Sequence, residues 1–451
     1  MNAYERVPRQ FPANAAVDLM PLPGESMVSS LWRFAWRNGL SAKELRRFCS
    51  SGLGYAKEGT DVKQSRGFDA DVFIDASGWV SQSREVEYFE PHNPHRPAWW
   101  CSNFRYCPIC LEHLYHSYWH QSKFITHCPF DGSALLDKCY SCGGSLPGYG
   151  FYRDILSKPY TCNSCGSAIS GVKVTLRARV DLQLRAKEYR AIVESIEQWW
   201  SDATPLRKQI EVMIPSPRFR SYAPWMRSDP SLRHWIVDQV PAPERLPVAT
   251  STLPPLVVLN WKVRLKPDDQ RAILIGRRPS RFRKLLLARQ VYRATLRRLT
   301  KAIQRNMPFD DAQYRRHLAL PFEDLVRSQN PCNLQLLALI LLRRSYEAYF
   351  SALENPPDDA ELDVRNIGFP YGNEFAFRLR ICWRAQFVAE YAAFYWWLVA
   401  MRDGRGGTNS FRREIATLSD ADAHYDRELG DLVTGAVAFP AVDGLELSLF
   451  P

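Results

Sequence analysis

The stretch CSNFRYCPICLEHLYHSYWHQSKFITHCPFDGSALLDKCYSCGGSLPGYGFYRDILSKPYTCNSCG runs from Cys101 to Gly166 and holds eight of the chain's eleven cysteines. Six of these eight form Cys-x-x-Cys pairs, at Cys107/Cys110, Cys139/Cys142 and Cys162/Cys165. In such a pair the turn points two thiolates at one centre, and two pairs complete the tetrahedron that zinc prefers. The stretch therefore predicts a metal-binding region, around which the rest of the chain is arranged.

The order of these residues along the chain divides them into two predicted zinc sites. The second site consists of four cysteines, and each of its two pairs is followed by glycine: Cys139, Cys142, Cys162 and Cys165. This spacing is typical of a zinc ribbon built from small β hairpins. The first site has Cys107, Cys110 and Cys128, and its fourth ligand is either Asp131 or His127. We expect about two structural zinc ions, one for each set of four ligands.

Three histidines lie between the two knuckles of the first site. Residues Leu111 to Phe124 are predicted to be helical, which would place His113, His116 and His120 on one face. That face is interpreted as a third metal site or, preferably, as an aromatic and imidazole surface that packs on the zinc region. The chain has no His-Glu-x-x-His and no His-x-Glu of the nucleotide deaminases. Neither a catalytic zinc nor an enzymatic function is therefore expected.

Residues 1–60 are predicted to form a tail followed by two short helices. Ser26 is a suitable N-cap for a helix over Met27–Asn38, and Gly39 stands where a helix usually ends. A capping box at residues 41–44 begins a second helix that ends at about Cys49. The basic residues on its outer face are candidates for nucleic-acid binding: Lys43, Arg46 and Arg47. The pattern predicts a helix-turn-helix or, alternatively, an ordinary helical hairpin.

The remaining segments are predicted from composition and periodicity. Residues 61–100 are expected to connect the hairpin to a tandem zinc-binding region at 101–171, and residues 172–451 to form a helical region with a break near 215–255. A strand or a short buried helix is expected at Leu256–Leu265. The predicted fold class is thus mainly α, with small zinc-ribbon hairpins and a helical C-terminal domain.

The most basic element is a predicted helix at Arg281–Asn306. Its basic residues recur at every fourth position, as Arg289, Arg293, Arg297, Lys301 and Arg305. Residues 277–316 carry 13 Lys and Arg against two Asp, so this segment accounts for the whole chain's net charge of +11. Like charges at this spacing oppose helix formation by about 0.2–0.5 kcal/mol per pair. A polyanion such as DNA, or an acidic protein surface, would relieve that repulsion, although a solvated basic face is the alternative.

Two apolar helices are predicted in the last third, at Asn333–Leu353 and Glu374–Met401. Arg384 and Glu390 interrupt the second helix, which favours a buried core or a homodimer contact over a membrane span. The longest uncharged apolar windows are shorter than the roughly 20 residues that a spanning helix needs. With no secretory signal at the N-terminus, clustered cysteines favour zinc in a reducing cytoplasm over disulfides.

Several motifs between Pro21 and Ser170 follow one another in a specific order. They are Pro-x-Pro-Gly-Glu-Ser at 21–26, Ser-Leu-x-Arg-x-Ala at 30–35, Asn-Gly at 38–39, Arg-x-Cys-Pro-x-Cys-Leu at 105–111, Trp119, Cys-Pro-x-x-Gly at 128–132, Leu135, and Cys-x-x-Cys-Gly at 139–143 and 162–166. Together they resemble the TniQ family of transposition target-selection proteins, which includes the TnsD group. The family usually has histidine where this chain has Asp131, so Asp131 is the direct substitute in the first zinc site.

The resemblance implies an adaptor rather than an enzyme. Such proteins help to choose an insertion site and recruit an AAA+ regulator of the TnsC/TniB type, in the bacterial cytoplasm at the nucleoid. Some recognise DNA directly through helix-turn-helix elements, and others sit as dimers on an RNA-guided CRISPR effector complex. The alternative function is a zinc-ribbon transcriptional or RNA-binding regulator without a role in transposition, and a zinc hydrolase is a distant third.

Overall fold

The computed structural model describes residues 20–48, 73, 99–150, 153–211, 229–246, 248, 256–276, 279–306, 308–320, 324, 334–347, 376–404, 420–425 and 432–441. The chain divides into two compact units. The first comprises Met1–Asp202 with Val240–Ala249, and the second comprises Ala203–Gln239 with Thr250–Pro451. The described part is mainly helical, as predicted.

Each unit has its own set of elements. The described helices of the first unit are α1 (Met27–Asn38), α2 (Ala42–Phe48), α3 (Pro108–Glu112), α4 (Arg153–Ser157), α5 (Leu176–Leu184) and α6 (Ala186–Asp202). Those of the second are α7 (Thr204–Glu211), α8 (Asp229–Gln239), α9 (Pro267–Leu274), α10 (Arg281–Asn306), α11 (Asp311–Ala319), α12 (Leu334–Glu347) and α13 (Ala376–Arg402). The second unit also holds the strands β1 (Leu256–Arg264), β2 (Asp420–Tyr425) and β3 (Leu432–Pro440).

The helix α1 begins and ends at the residues that the sequence marks, and α2 begins at its predicted capping box; its predicted end at Cys49 lies outside the described residues. Ser26 Oγ accepts a hydrogen bond from Ser29 N at 3.1 Å, and Gly39 ends α1 in the left-handed region at φ 62°. At the next helix, Glu44 N donates to Ser41 Oγ at 3.3 Å and Ser41 N donates to Glu44 Oε2 at 2.8 Å, which completes the capping box. Two successive helices with the predicted caps are therefore present in this segment.

The segment Leu111–Phe124 is not the continuous helix that the sequence predicts. The helix α3 ends at Glu112, and Leu114 then takes a left-handed conformation with φ 56°. A non-glycine residue in that region cannot continue a right-handed helix. Ser117 starts a separate 3₁₀ turn at Tyr118–Gln121, so the three histidines of this segment do not share one helical face.

Aromatic packing joins α6 to the cysteine-rich region. The Tyr189 ring stacks on Phe130, which lies between Cys128 and Asp131, with ring centroids 4.5 Å apart. Further along α6, Trp200 packs against Trp100 and Trp119 at 5.1 and 5.8 Å. The first compact unit therefore continues to Asp202, past the domain boundary at residue 171 that composition suggests.

The second unit is built on a three-stranded antiparallel sheet and a helical core. The strand order is β1-β3-β2, with Leu256 opposite Pro440 and Asp420 opposite Ala438. The segment predicted at Leu256–Leu265 thus forms a strand, Leu256–Arg264, and not a buried helix, while β2 and β3 are not among the sequence predictions. The strand β3 contributes Val437 and Phe439 to the core.

The two apolar helices of the last third form the centre of that core. Every residue from Leu336 to Leu342 on α12 is at most 1% exposed, and α12 packs with α10 and α13. On α13, the Glu390 carboxylate accepts hydrogen bonds from Tyr346 Oη at 2.5 Å and from Gln386 Nε2 at 2.8 Å. Among the described helices, none is both long enough and apolar enough to cross a membrane.

Candidate metal centre

Four cysteines come together from two tight turns to form a partly exposed metal-ligand group of the first unit, here called the four-cysteine group: Cys139, Cys142, Cys162 and Cys165. In the first turn Gly143 N donates to Cys139 O at 2.9 Å, and in the second Gly166 N donates to Cys162 O at 2.9 Å. Both glycines have positive φ, which a left-handed turn requires and which glycine adopts at little cost. An antiparallel bridge flanks each turn.

The spacing of the sulfur atoms in the four-cysteine group fits a tetrahedral metal. Cys139 Sγ lies 3.9 Å from Cys165 Sγ, and Cys142 Sγ lies 3.9 Å from Cys162 Sγ. A zinc–sulfur bond of about 2.3 Å implies a sulfur–sulfur edge of about 3.8 Å. All four sulfurs lie within 4.8 Å of one another, so the group could hold a metal ion.

A second group of four ligands, here called the cysteine–aspartate group, is more buried: Cys107, Cys110, Cys128 and Asp131. Cys107 is the N-cap of α3, where its sulfur accepts a hydrogen bond from Cys110 N at 3.2 Å. Pro108 occupies the first helical position, where a missing N–H costs nothing. Cys110 Sγ lies 3.5 Å from Cys128 Sγ, again close to a tetrahedral edge.

Asp131, rather than His127, completes this group. Asp131 Oδ2 lies 3.0 Å from Cys107 Sγ and 3.4 Å from Cys110 Sγ. Its other oxygen, Oδ1, accepts hydrogen bonds from Ser133 N at 2.8 Å and from Ser133 Oγ, which leaves Oδ2 for the metal. The His127 side chain is exposed, and its Nδ1 lies 2.9 Å from Thr126 Oγ1.

Electrostatics keeps Asp131 in the form that a metal needs. Burial alone would raise the pKa of its carboxyl group, but hydrogen bonds from Ser133 and from the Cys107 thiol lower that pKa below its usual value. The carboxylate is therefore ionised at neutral pH. Ser133 was not marked by the sequence pattern, although a hydroxyl two residues after an aspartate is a common local partner for the carboxylate.

The histidines do not form a third metal site within the described residues, where the four-cysteine and cysteine–aspartate groups are the two sets of clustered ligands. His113 Nδ1 instead lies 2.7 Å from Ile109 O at the end of α3. His116 and His120 are buried, and their ring centroids are 5.1 Å apart. His116 also stacks on Phe104 at 4.7 Å, which matches the preferred interpretation of an aromatic and imidazole packing surface.

Glu25 is a structural residue that the sequence pattern marks only as part of a turn. Its carboxylate is fully buried and accepts hydrogen bonds from two neutral groups, Leu22 N at 2.8 Å and Ser29 Oγ at 2.8 Å. Two arginines also donate to it: Arg33 Nη1 on α1, and Arg179 Nη2 on α5 at 2.9 Å. Burial raises the pKa of Glu25, but the charges of Arg179 and Arg33 outweigh that effect, so the pKa lies below its ordinary value of 4.5.

The segment that contains Glu25 is hydrogen-bonded to the loop between Cys110 and Cys128 of the cysteine–aspartate group. Tyr115 Oη donates to Pro23 O at 2.8 Å, and Ser117 Oγ donates to Gly24 O at 2.9 Å. Ser26 N donates to the carbonyl of His116 at 2.8 Å. The residues before α1 are therefore held by the loop that follows the first cysteine pair.

The predicted binding residues lie in both units. Lys43 is exposed on α2, and Arg46 and Arg47 belong to the same helix, although their side chains lie outside the described part. On α10, four residues of the predicted basic row are exposed and Arg289 is partly buried. The four exposed residues, here called the basic row, are Arg293, Arg297, Lys301 and Arg305. At 1.5 Å per residue, the row is about 18 Å long.

Fold and site together define a two-unit, mainly helical protein whose first unit has two groups of four residues able to hold metal ions. No protein-family model matches the chain, and no curated protein sequence matches it significantly.

Proposed function

We propose that this protein is an adaptor in DNA transposition, which binds DNA, takes part in choosing the insertion site and recruits an AAA+ transposition regulator. The resemblance to the TniQ family supports the proposal, because the motifs occur in the family's order between Pro21 and Ser170. Residues of separate motifs also contact one another, since Glu25 of the first motif is bonded to Arg33 of the second.

Structural zinc in both four-ligand groups is part of the proposal. Each group offers four donors at tetrahedral spacing, and structural zinc sites fill all four positions with protein ligands. Thiolate-rich donor sets also favour zinc over Mg²⁺ and Ca²⁺, which prefer oxygen ligands. On this view the turns of the four-cysteine group act as a zinc ribbon, and α1 and α2 act as a helix-turn-helix.

The single observation that carries the DNA-binding proposal is the basic row of α10. Within the described part of the chain, none of Arg293, Arg297, Lys301 or Arg305 forms an ion pair with an Asp or Glu. Other arginines of the same unit are paired, as Arg343 is with Glu347 at 2.5 Å. An exposed row of like charges favours a partner whose negative charges are spaced along a line, as phosphates are along a DNA strand.

Charge reversal of the row tests this proposal. We expect the R293E/R297E/K301E variant to bind a DNA duplex more weakly than the unchanged protein, in a fluorescence anisotropy titration at several salt concentrations. If all three side chains contact phosphates, the slope of log K against log salt should fall in magnitude by about 2.7. The fold should be unaffected, because these side chains are exposed.

A matched control has the same change in net charge elsewhere in the second unit. Lys262, Lys266 and Arg271 are exposed basic residues outside α10, so K262E/K266E/R271E should retain most of the affinity and the original salt slope. Equal losses in the two variants would show that only net charge matters, and unchanged binding in the first would remove the basic row from the mechanism.

Capture of the partner separates transposition from the alternative function. Immobilised protein, with and without DNA, is tested against the AAA+ ATPase and any guide-RNA complex encoded beside its gene. Retention of either supports an adaptor in transposition. Retention of neither, together with tighter binding of RNA than of DNA, would favour a zinc-ribbon transcriptional or RNA-binding regulator.

A further inference from the structure

His120 lies beside the cysteine–aspartate group without belonging to its four ligands. Its side chain is completely buried, and Nε2 lies 3.5 Å from Cys128 Sγ. On the other side of the ring, Ser117 N donates to Nδ1 at 3.3 Å as part of the cap of the 3₁₀ turn. The imidazole therefore connects a backbone N–H to a sulfur atom of the metal-ligand group.

The hydrogen bond from Ser117 determines which nitrogen carries the proton. A ring nitrogen that accepts an N–H cannot itself be protonated, so in the neutral imidazole the proton is on Nε2. The N–H of Nε2 is then directed at Cys128 Sγ, at a distance that suits a hydrogen bond to sulfur.

Other thiol groups of the two ligand sets receive hydrogen bonds from the backbone. Cys107 Sγ accepts from Cys110 N at 3.2 Å, Cys142 Sγ from Gly144 N at 3.4 Å, and Cys162 Sγ from Ser164 N at 3.4 Å. For Cys128, the group in the position of that hydrogen-bond donor is a side chain, that of His120. Three thiolates and a carboxylate around a divalent ion leave a formal charge of about −2, which such donors help to offset.

We propose that His120 is a positioning residue of the cysteine–aspartate group, whose Nε2–H donates a hydrogen bond to the Cys128 thiolate and holds it in place as a metal ligand. This inference rests on the proposal that the group binds a metal. It adds a fifth residue to the site, one that acts through Cys128 and does not touch the metal.

Two variants separate the hydrogen bond to sulfur from the rest of the ring. In His120→Gln the amide nitrogen reaches about as far as Nε2 and can donate to Cys128. In His120→Asn the amide oxygen lies near the position of Nδ1 and can accept from Ser117 N, but the side chain is too short to reach the sulfur. Both variants lose the ring and its contacts with His116 and Phe130, so the difference between them isolates the hydrogen bond to sulfur.

Cobalt binding to the purified full-length protein reports on both groups. The metal-stripped protein is titrated with Co²⁺ while the sulfur-to-cobalt charge-transfer absorption is recorded, and the bound Co²⁺ is then competed with Zn²⁺. We expect His120→Asn to weaken binding at the cysteine–aspartate group at least about tenfold and to alter its charge-transfer absorption, whereas His120→Gln should restore both. The four-cysteine group is the internal reference, and its affinity should be the same in all three proteins.

Different outcomes would overturn different statements. If His120→Asn binds Co²⁺ at both groups as the unchanged protein does, or if His120→Gln is as weak as His120→Asn, the ring only packs and the inference is wrong. If the unchanged protein takes up no metal at the cysteine–aspartate group, the metal proposal fails together with the inference.

A measurement on the unchanged protein tests the inference even if the variants fail to fold. In the zinc-loaded protein labelled with ¹⁵N-histidine, long-range ¹H–¹⁵N spectra distinguish the two neutral tautomers. We expect His120 to be protonated at Nε2. Protonation at Nδ1 would exclude the hydrogen bond to Cys128 and overturn the inference without any substitution.

Discussion

Ser26 Oγ lies 2.8 Å from Nδ1 of His116, a residue 90 positions later in the chain. The other ring nitrogen, Nε2, lies 2.8 Å from the carbonyl oxygen of Arg105, which can only accept a hydrogen bond. Nε2 therefore carries the proton, and Nδ1 accepts the hydroxyl hydrogen of Ser26. Since the same hydroxyl caps α1, one hydrogen-bonded chain joins the start of this helix to the backbone before the first cysteine pair.

Replacing Ser26 with alanine should destabilise the first unit by more than the loss of an ordinary helix cap. The substitution removes the cap of α1 and also leaves Nδ1 of the buried His116 without its donor, so we expect a loss of about 1–3 kcal/mol in the free energy of unfolding. Urea unfolding measures this change in the free energy of unfolding. The control is Ser41→Ala at the exposed cap of α2, which should cost about 1 kcal/mol or less. Equal losses would show that the bond to His116 contributes nothing.

The buried Glu25 should make the first unit sensitive to acid. Because the pKa of Glu25 is lower in the folded protein than in the unfolded chain, its contribution is fully present above the unfolded value of about 4.5 and is lost as the pH falls through the folded value. Stability should therefore decrease on acidification below about pH 4.5.

The Glu25→Gln variant isolates this carboxylate from the metal ligands, which also take up protons in acid. At neutral pH we expect it to be about 3–5 kcal/mol less stable, because Arg33 and Arg179 remain buried without their counter-charge. The stability difference between the two proteins, measured by urea unfolding, should shrink as the pH is lowered below about 4.5. A difference that stays constant down to about pH 3 would contradict the assigned direction of the pKa shift.

The features that could be predicted from sequence are those whose causes are local. The bounds of α10 follow from its own apolar stripe, and the cysteine turns follow from spacing within four residues. Long-range partners could not be predicted in this way. Glu25 is bonded to Arg179, 154 residues away, and β1 pairs with β3 across more than 160 residues. Leu114 shows a further limit, because a left-handed leucine interrupts a segment whose apolar pattern predicts a helix.

The choice between Asp131 and His127 shows the same limit within one site. Both residues are close to Cys128 in sequence and both side chains can bind zinc, so residue type and spacing leave the choice open. The turn decides it: Ser133 binds one carboxylate oxygen of Asp131, and the other oxygen faces the sulfur atoms. The hydrogen bond between Asp131 and Ser133, two residues further along the chain, thus determines which of the two candidates is the fourth ligand.

Gly24 should tolerate no side chain, for a reason that Gly39 does not share. A Cβ atom at Gly24 would lie 2.5 Å from Cγ2 of Val193 on α6, whereas one at Gly39 would meet no atom of the described residues within 4 Å. Both residues have similar positive φ, so the cost of the left-handed conformation, about 1 kcal/mol, is common to the two alanine variants.

We therefore expect Gly24→Ala to be less stable than Gly39→Ala by about 1–3 kcal/mol, measured by urea unfolding. The double variant Gly24→Ala/Val193→Ala should recover part of the difference, because it removes the methyl groups that clash. Equal stability of the two single variants would mean that α6 is not held against the segment before α1.

The two ligand groups should lose their metals independently. Asp131→Asn keeps an oxygen that can accept a hydrogen bond from Ser133, but it replaces an anionic ligand with a neutral, weaker one. The cysteine–aspartate group should therefore lose at least about tenfold in metal affinity, while the four-cysteine group keeps its metal. Cys139→Ser should have the reverse effect. Zinc content after dialysis against a moderate chelator measures both, starting from about two ions per chain in the unchanged protein.

His127→Ala is the control for the fourth ligand, because His127 is the residue that the turn excludes. Its side chain is exposed and lies outside the cysteine–aspartate group, so the variant should retain both metals with unchanged affinity. A metal loss in His127→Ala equal to that in Asp131→Asn would contradict the assignment of Asp131. If Asp131→Asn and Cys139→Ser each released both ions, the groups would have to fold as one unit, because zinc binding to a structural site is coupled to the folding of the residues around it.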